Sequence, residues 1–489
     1  MAFLYLILAV GAITTLYPFA LMVSTGLKGP TDQNDNVLVP KYLKDDVELE
    51  AKYLDDKYAG DKAQIASTRI GTDGDAAAYE KFLLSLPNDT WTAGFRTPGN
   101  GVTSRLTERY RGWLRTKFAT VEELNEAYVE ENVAFQTVVP PTELYERGNW
   151  KPTAGKKWDD WQVFKSDLPA EFRIPVRIDR LWQLFVAGKV QNQFAEVPPF
   201  IKRDATKFEE LVYAPVPDSG LYEEFRRQLP ERYRDGAAER YWREGTPMPI
   251  VAYEKQVLAK TADTIRSEFK GRNYRYVLDY MALNGRAVWN TAIFCLLAIL
   301  TQLIVNPLAA FALSRFPIKA SGKILIFLLA TMAFPAEVAM IPSFLLLKDL
   351  GLLNTFAALV LPTAASGYMI FLLKGFFDSL PQELYESGQI DGARETTMLW
   401  KIALPLSRPV LGYLALLAFM GAYGAFMYAF LVAQDQSMWT IMVWIYQLQM
   451  IAPRGVIMAA LTLAALPTLI VFLLAQRVIM RGIVLPGER

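Results

Sequence analysis

Histidine is absent from the 489-residue sequence, and cysteine occurs once, at Cys295. These two absences remove whole classes of chemistry. No disulfide can close within the chain, no zinc site of the usual His/Cys kind can be assembled, and no histidine-based triad is available. An excess of charge of one sign is also missing, since 51 Lys and Arg face 50 Asp and Glu. A net charge of +1 gives no long-range field to gather a polyanion, and no basic run supplies a local one, so no nucleic-acid partner is expected. The sequence has no G-x-x-x-x-G-K-[ST] loop to cradle phosphates.

What is present is 52% hydrophobic residues, unevenly distributed. Lys28 to Met281 holds 38 Lys/Arg and 41 Asp/Glu, and the rest of the chain holds only 13 and 9. Six stretches in the charge-poor parts are long enough to cross a bilayer, which takes about 20 apolar residues. They are Ala2 to Leu27, Ala287 to Ser314, Ile324 to Leu347, Leu350 to Leu373, Pro409 to Gln434 and Gly455 to Gln476. The first lacks the basic start, short apolar core and small-x-small exit of a cleaved signal, so it reads as an anchor. Gln436 to Pro453 reads as an interfacial or re-entrant segment. The expected fold is an all-α polytopic membrane protein with six transmembrane helices and an α-rich mixed soluble insert between spans 1 and 2. Its parts are a first span at 1–27, an insert at 28–283 and a five-helix membrane core at 284–489.

Orientation follows from charge. With both termini inside, ten Lys/Arg fall in internal loops and the tail, against Lys348 and Arg454 in short external loops. This fits the positive-inside rule and places the insert outside, in the periplasm if the cell has two membranes.

The segment 381–409, between the fourth and fifth spans, has the pattern of a helix, a glycine turn and a second helix. Leu384, Ser387, Gly388 and Asp391 recur at three- and four-residue spacing, Gly392 can take the positive φ that ends a helix, and Pro405 is expected to stop the second helix. Glu386, Gly392, Ile402, Leu404 and Pro405 fall at the offsets E-A-A, three residues, G, nine residues, I-x-L-P, with Ser387 and Gly388 at the two alanine positions. This run resembles the EAA loop of ABC-importer permeases. Tyr17-Pro18 with Ser24 to Lys28, Asn273-Tyr274 with Trp289-Asn290-Thr291, Leu350 to Thr355 and Arg477 to Gly482 extend the resemblance to the carbohydrate-importer branch that includes maltose permeases. The insert is not covered by it.

The resemblance implies a permease subunit that works with two ABC ATPase subunits, a second permease subunit and an external solute-binding protein. It implies an inner-membrane, multi-pass location in the lipid bilayer. It also implies no cofactor of the chain's own, ATP being bound by partner subunits. Glu386, Ser387, Gly388, Asp391, Gly392, Ile402, Leu404 and Pro405 would then form the ATPase-coupling site.

Glu337, flanked by Pro335 and Pro342, is the only charge well within a span. A carboxylate there faces a partner, water or a cavity, so it is a candidate for the translocation path, as is Asn306; the alternative for Glu337 is the external interface of a bent helix. Gln302, Thr363 and Tyr423 are further intramembrane polar groups, read first as interhelical packing. The insert is long enough for its own core, with seven tryptophans from Trp91 to Trp242 to fill it. Thr120 to Glu123 forms a capping box that starts a helix, and Pro140-Pro141, Pro198-Pro199 and Pro215 to Pro217 mark sub-boundaries near 140 and 200. A membrane-anchored external sugar-binding or sugar-processing protein is the alternative reading, but no acid and nucleophile pair stands out among the insert's carboxylates. A sensor is disfavoured by four further spans, and an ion-coupled carrier by having one intramembrane charge.

Overall fold

The computed structural model describes residues 2–68, 74–96, 102–145, 150–214, 220–234, 236–242, 248–333 and 335–480. Arg481, Gly482, Arg489 and Pro215 to Pro217 lie outside the described residues. Helix dominates, and the only sheet among the described residues is an antiparallel ribbon of Trp91–Ala93 and Arg173–Pro175, with Thr92 opposite Ile174. The chain divides into two compact units, residues 1–276 with 451–459, and residues 277–450 with 460–489.

The first unit begins with the apolar helix Ala2–Gly26 and continues through short helices whose starts are dictated by polar side chains. Asp45 caps Asp46–Lys57, Asp75 caps Ala76–Ser85 and Ser104 caps Arg105–Lys117, each accepting from an amide that the helix leaves unpaired. Thr120 accepts from Glu123 N to open Val121–Tyr128, and Glu123 accepts from Ala119 N, one residue earlier than a capping box requires.

Two aromatic clusters fill this unit. One gathers Tyr53, Trp91, Tyr110 and Trp161, and the other Trp182, Tyr222, Phe225 and Tyr233. The second takes in Tyr145, but Trp161 to Ile174 belong to the first again before the second resumes at Val176 and runs through Val197 and Ile201. Neither Pro140-Pro141 nor Pro198-Pro199 therefore divides the clusters, which change once more at Ala237 to Ala238. Trp91, Trp161 and Trp182 are fully buried, whereas Trp113, Trp150, Trp158 and Trp242 are half-buried at the cluster edges.

A buried ion pair ties the ribbon to Lys156–Ser166. Glu143 Oε1 lies 2.7 Å from Lys165 Nζ and accepts from Trp161 Nε1 at 3.1 Å, while Oε2 accepts from Ala93 N and Arg96. Burial pulls the Lys165 ammonium down to about 8, with Glu143 opposing the shift.

The ends of three helices meet in the same unit. Asn273, from Ile250–Leu278, donates to Gly26 O at 3.0 Å and Lys28 O at 2.7 Å, and Tyr274 Oη donates to Val23 O at 3.1 Å. Gly455, at the start of Arg454–Met480, packs so closely on Lys28 O that a Cβ has no room.

In the second unit Ala287–Arg315 is central, packed along Gly367–Ser379 and Arg408–Tyr423. Across the described residues three helices are long and apolar enough to cross a membrane: Phe3–Gly26, Ala287–Arg315 and Arg454–Gln476. The number rises to five if two bent pairs each count as one span: Phe356–Thr363 with Gly367–Ser379 at 51°, and Glu395–Leu406 with Arg408–Tyr423 at 83°.

The stretch expected as a span at Ile324 to Leu347 is two shorter helices, Ser321–Thr331 and Ala336–Asp349. Proline explains the break: Pro335 has no N–H to continue a ladder and stands as the N-cap of the second helix. Similarly, the run expected at Pro409 to Gln434 ends as a helix at Tyr423, and Phe426–Val432 is a separate short one.

Candidate functional site

The hairpin at 381–409 is built by two opposed signals. Glutamine, glutamate, leucine and tyrosine favour the helix Gln382–Ile390, and Gly392 ends it with φ +72°. Gly392 N donates to Gln389 O at 3.0 Å and Ala393 N to Gly388 O at 2.8 Å, the paired bonds of a Schellman turn with Asp391 as C-cap. The return leg is Glu395–Met398, a π-helical turn at Leu399–Ala403, and Leu404–Leu406. Pro405 does not stop the helical run as expected, because it occupies an early position of that last turn, where a missing N–H costs little. The turn comes at Ser407, whose hydroxyl donates to Ala403 O at 2.6 Å before Arg408–Tyr423 departs.

Gly388 faces the return leg. A Cβ there would meet Ile402 Cδ1 at 3.3 Å and Met398 Cγ at 3.6 Å, so only the smallest residues allow the two legs this approach. Ser387 turns its hydroxyl onto Glu383 O at 2.8 Å, and Glu386, exposed, accepts from Gln382 Nε2 at 2.8 Å. The hairpin is rooted by Tyr385, which the sequence pattern did not single out. Its buried ring packs near Phe311 and lies 3.6 Å from the Arg315 guanidinium carbon, and burial pushes its hydroxyl pKa up. The hairpin leaves Ile390 86% and Trp400 62% exposed, and the Glu386 carboxylate is exposed as well. Two large apolar side chains bared on a surface with a fixed backbone are the makings of a protein interface.

The intramembrane polar groups separate into two kinds. Gln302 and Thr363 line a cavity of about 310 Å³ with Phe294, Met340, Ser343 and Tyr428. Asn306 is fully buried and occupied by backbone: it donates to Gln302 O at 2.8 Å and accepts from Ser366 N at 2.8 Å, bracing the bend before Gly367–Ser379. Tyr423 is likewise engaged, donating to Ala464 O. Glu337 stands exposed in the first turn of Ala336–Asp349, where a carboxylate suits the helix dipole; its neighbours Ala339, Met340 and Ser343, not Glu337 itself, reach the cavity. The cavity could not be read from the sequence, because it depends on where Gly421, Ala422 and Ala425 leave space between helices.

Comparison with known proteins gives the class to which this helical unit and its hairpin belong. Residues 288–484 match the family model described as binding-protein-dependent transport system inner membrane component. UgpE of Yersinia pestis, an sn-glycerol-3-phosphate transport system permease protein, is 34% identical over 208 residues, covering 41% of this chain and 73% of that protein. From Bacillus subtilis, LplC is 29% identical, covering 43% of this chain and 76% of that protein. YtcP of the same organism, a polygalacturonan/rhamnogalacturonan transport system permease protein, is 28% identical, covering 47% and 86%. Among solved structures, a chain of a bacterial ABC transporter involved in import of the acidic polysaccharide alginate shares 25% identity over 42% of this chain and 78% of that one, with a TM-score of 0.38. The chain belongs to the family of binding-protein-dependent transport system inner membrane components and is the permease subunit of an importer.

Proposed function

We propose that the chain carries a carbohydrate across the inner membrane, taking it from an external binding protein and drawing on ATP hydrolysed by partner subunits. The observation that carries this reading is the hairpin 382–406, with its Schellman turn at Gly392, its closely packed legs at Gly388 and Ile402, and its exposed Glu386, Ile390 and Trp400. Glu386 would supply a charge-assisted contact to a basic group of the ATPase, and Ile390 and Trp400 the apolar contact area. Asp391 and Gly392 set the angle between the legs, Gly388 keeps them close, Ser387 stands exposed on the first leg, and Ile402, Leu404 and Pro405 form the return. Because Tyr385 and Arg315 weld the hairpin to the end of Ala287–Arg315, a push by the ATPase pair reaches the helix whose Phe294 and Gln302 line the cavity. That cavity, to which Ala336–Asp349 contributes Ala339, Met340 and Ser343 and beside which Asn306 holds the bend, is the proposed translocation path, with the exposed Glu337 on the first turn of the same helix.

The same reading takes the membrane part as six crossings with both termini inside, and the charged unit as the external insert. The broken segments around Pro335 and 363–367 would complete their crossings by lining a protein-enclosed path, where interrupted helices are tolerated. ATP hydrolysis belongs to the partner subunits, and a second permease completes the path. Carbohydrate as cargo is supported by the sequence resemblance and by YtcP, whose name gives polysaccharides as its cargo.

Gly392→Pro tests the lever directly. Proline fixes φ near −65°, whereas the turn needs +72°, so the hairpin cannot keep its shape. ATP-driven uptake should be abolished while membrane insertion, read by protease protection, stays normal. Normal uptake by this variant would refute the lever.

A further inference from the structure

We propose that the charged unit carries its own binding site for a neutral oligosaccharide, in a cleft of about 770 Å³ beside Trp150 and Trp158. The inference rests on the carbohydrate reading above and deepens it. The volume falls in the upper part of the range for small-molecule sites.

Trp150 and Trp158 meet edge to face at 5.8 Å, which fixes both rings, and Tyr128 and the Pro140-Pro141 pair form other parts of the wall. Both indoles are half-buried. Among the described residues neither indole N–H donates to a protein acceptor, and neither is a buried donor left without one. A ligand that suits such a wall has apolar ring faces and hydroxyl edges together, which is the chemistry of a pyranose.

Charge at the cleft selects further. Lys157 Nζ is 2.6 Å from Glu130 Oε1, Asn132 donates to Glu130 Oε2 at 3.0 Å, and Lys156 is 4.0 Å from Asp160. Lys157 and Glu130 neutralise one another, whereas Asp160 is shared with Lys117 and Tyr128 and leaves Lys156 at the limit of ion pairing, its side chain half exposed to water. The wall therefore offers oriented donors and acceptors that suit hydroxyls, and the one remaining ammonium is screened by solvent.

Val129, on the cleft wall, ends Val121–Tyr128 as its left-handed cap with φ +57° and ψ +50°, its N–H donating to Asn125 O, and 92% of its surface is exposed.

The test uses the full chain in nanodiscs, without ATPase or binding protein, titrated calorimetrically with maltotriose, cellotriose, xylotriose and trigalacturonate. At least one neutral trisaccharide should bind saturably. Trp150→Ala should weaken it about tenfold or more, Trp150→Phe should keep it within about threefold, and trigalacturonate should not compete. Because Trp158 packs on both aromatic clusters, Lys157→Met serves as the second probe and should weaken binding with the fold intact by circular dichroism. Three results would each overturn the inference: no binding of any neutral sugar, wild-type affinity in both Trp150→Ala and Lys157→Met, or trigalacturonate binding tightest. No binding by the wild-type chain while the assembled importer takes up sugar would sink this site alone, and binding by the wild-type chain while the assembled importer shows no ATP-driven uptake would sink the importer reading alone.

Discussion

At the scale of single residues, the groups that matter are those whose polar atoms have one acceptable partner. Asn306 is one: its Oδ1 is the acceptor for Ser366 N at the bend before Gly367–Ser379. Asn306→Leu leaves that amide orphaned, a cost of about 1 to 3 kcal/mol. The purified variant should melt several degrees below wild type in detergent, and an unchanged melting temperature would mean that the brace is dispensable. Glu239 is another. Its Oε1 accepts from Ile178 N at 2.7 Å, and its Oε2 is buried with no partner among the described residues. Burial is the main cause that pushes its pKa up to about 7, with Asp179 adding and the backbone donors and Arg177 opposing. The folded carboxyl therefore keeps its proton in a window where the unfolded one has lost it. Stability falls as pH rises from about 4.5 to about 7, by on the order of 2 to 3 kcal/mol, and stays low above that. Glu239→Gln keeps the acceptor and removes the charge, so it should be more resistant to urea than wild type at pH 8 and equal to it near pH 4. Tryptophan fluorescence would follow the unfolding; identical curves at pH 8 would contradict the assignment.

At the scale of elements, legibility tracked how local the cause is. Gly392 could be picked out because a positive φ at a helix end is a property of one residue, and the two-leg pattern around it because spacing is a property of ten. Tyr385 and Arg315 lie 70 residues apart in sequence, and nothing in either segment announces that they touch. The spans show the same limit. Hydropathy found the apolar runs, but a run from Ile324 to Leu347 averages over Pro335, and the structure breaks there into Ser321–Thr331 and Ala336–Asp349. In the charged unit, caps at Thr120 and the fully buried Trp91, Trp161 and Trp182 fit what composition suggested. The Glu143–Lys165 pair did not show itself, because two charges out of 79 become special only when the fold buries them together. Glu143→Ala should strand the Lys165 ammonium and lower the stability of this unit by about 3 to 5 kcal/mol, measured by urea unfolding. A loss under 1 kcal/mol would show that the ammonium finds water.

At the scale of the whole molecule, a large charged unit precedes residues 288–484, which match the permease family model. Within this unit, the junction of Gly26, Lys28, Asn273 and Gly455 gathers the ends of three helices. Deleting Thr31 to Glu268 should weaken capture from the binding protein more than engagement of the ATPase. The readout is uptake against binding-protein concentration, and an unshifted curve would count against an external docking role.

The most direct test of the permease account is purification of the intact chain from native membranes in mild detergent, with identification of what travels with it, repeated on Glu386→Lys. The account predicts an ABC ATPase and a second permease subunit with the wild-type chain, and loss or weakening of the ATPase in the variant. A chain that emerges alone, or an ATPase retained equally by Glu386→Lys, would contradict the coupling role given to the hairpin.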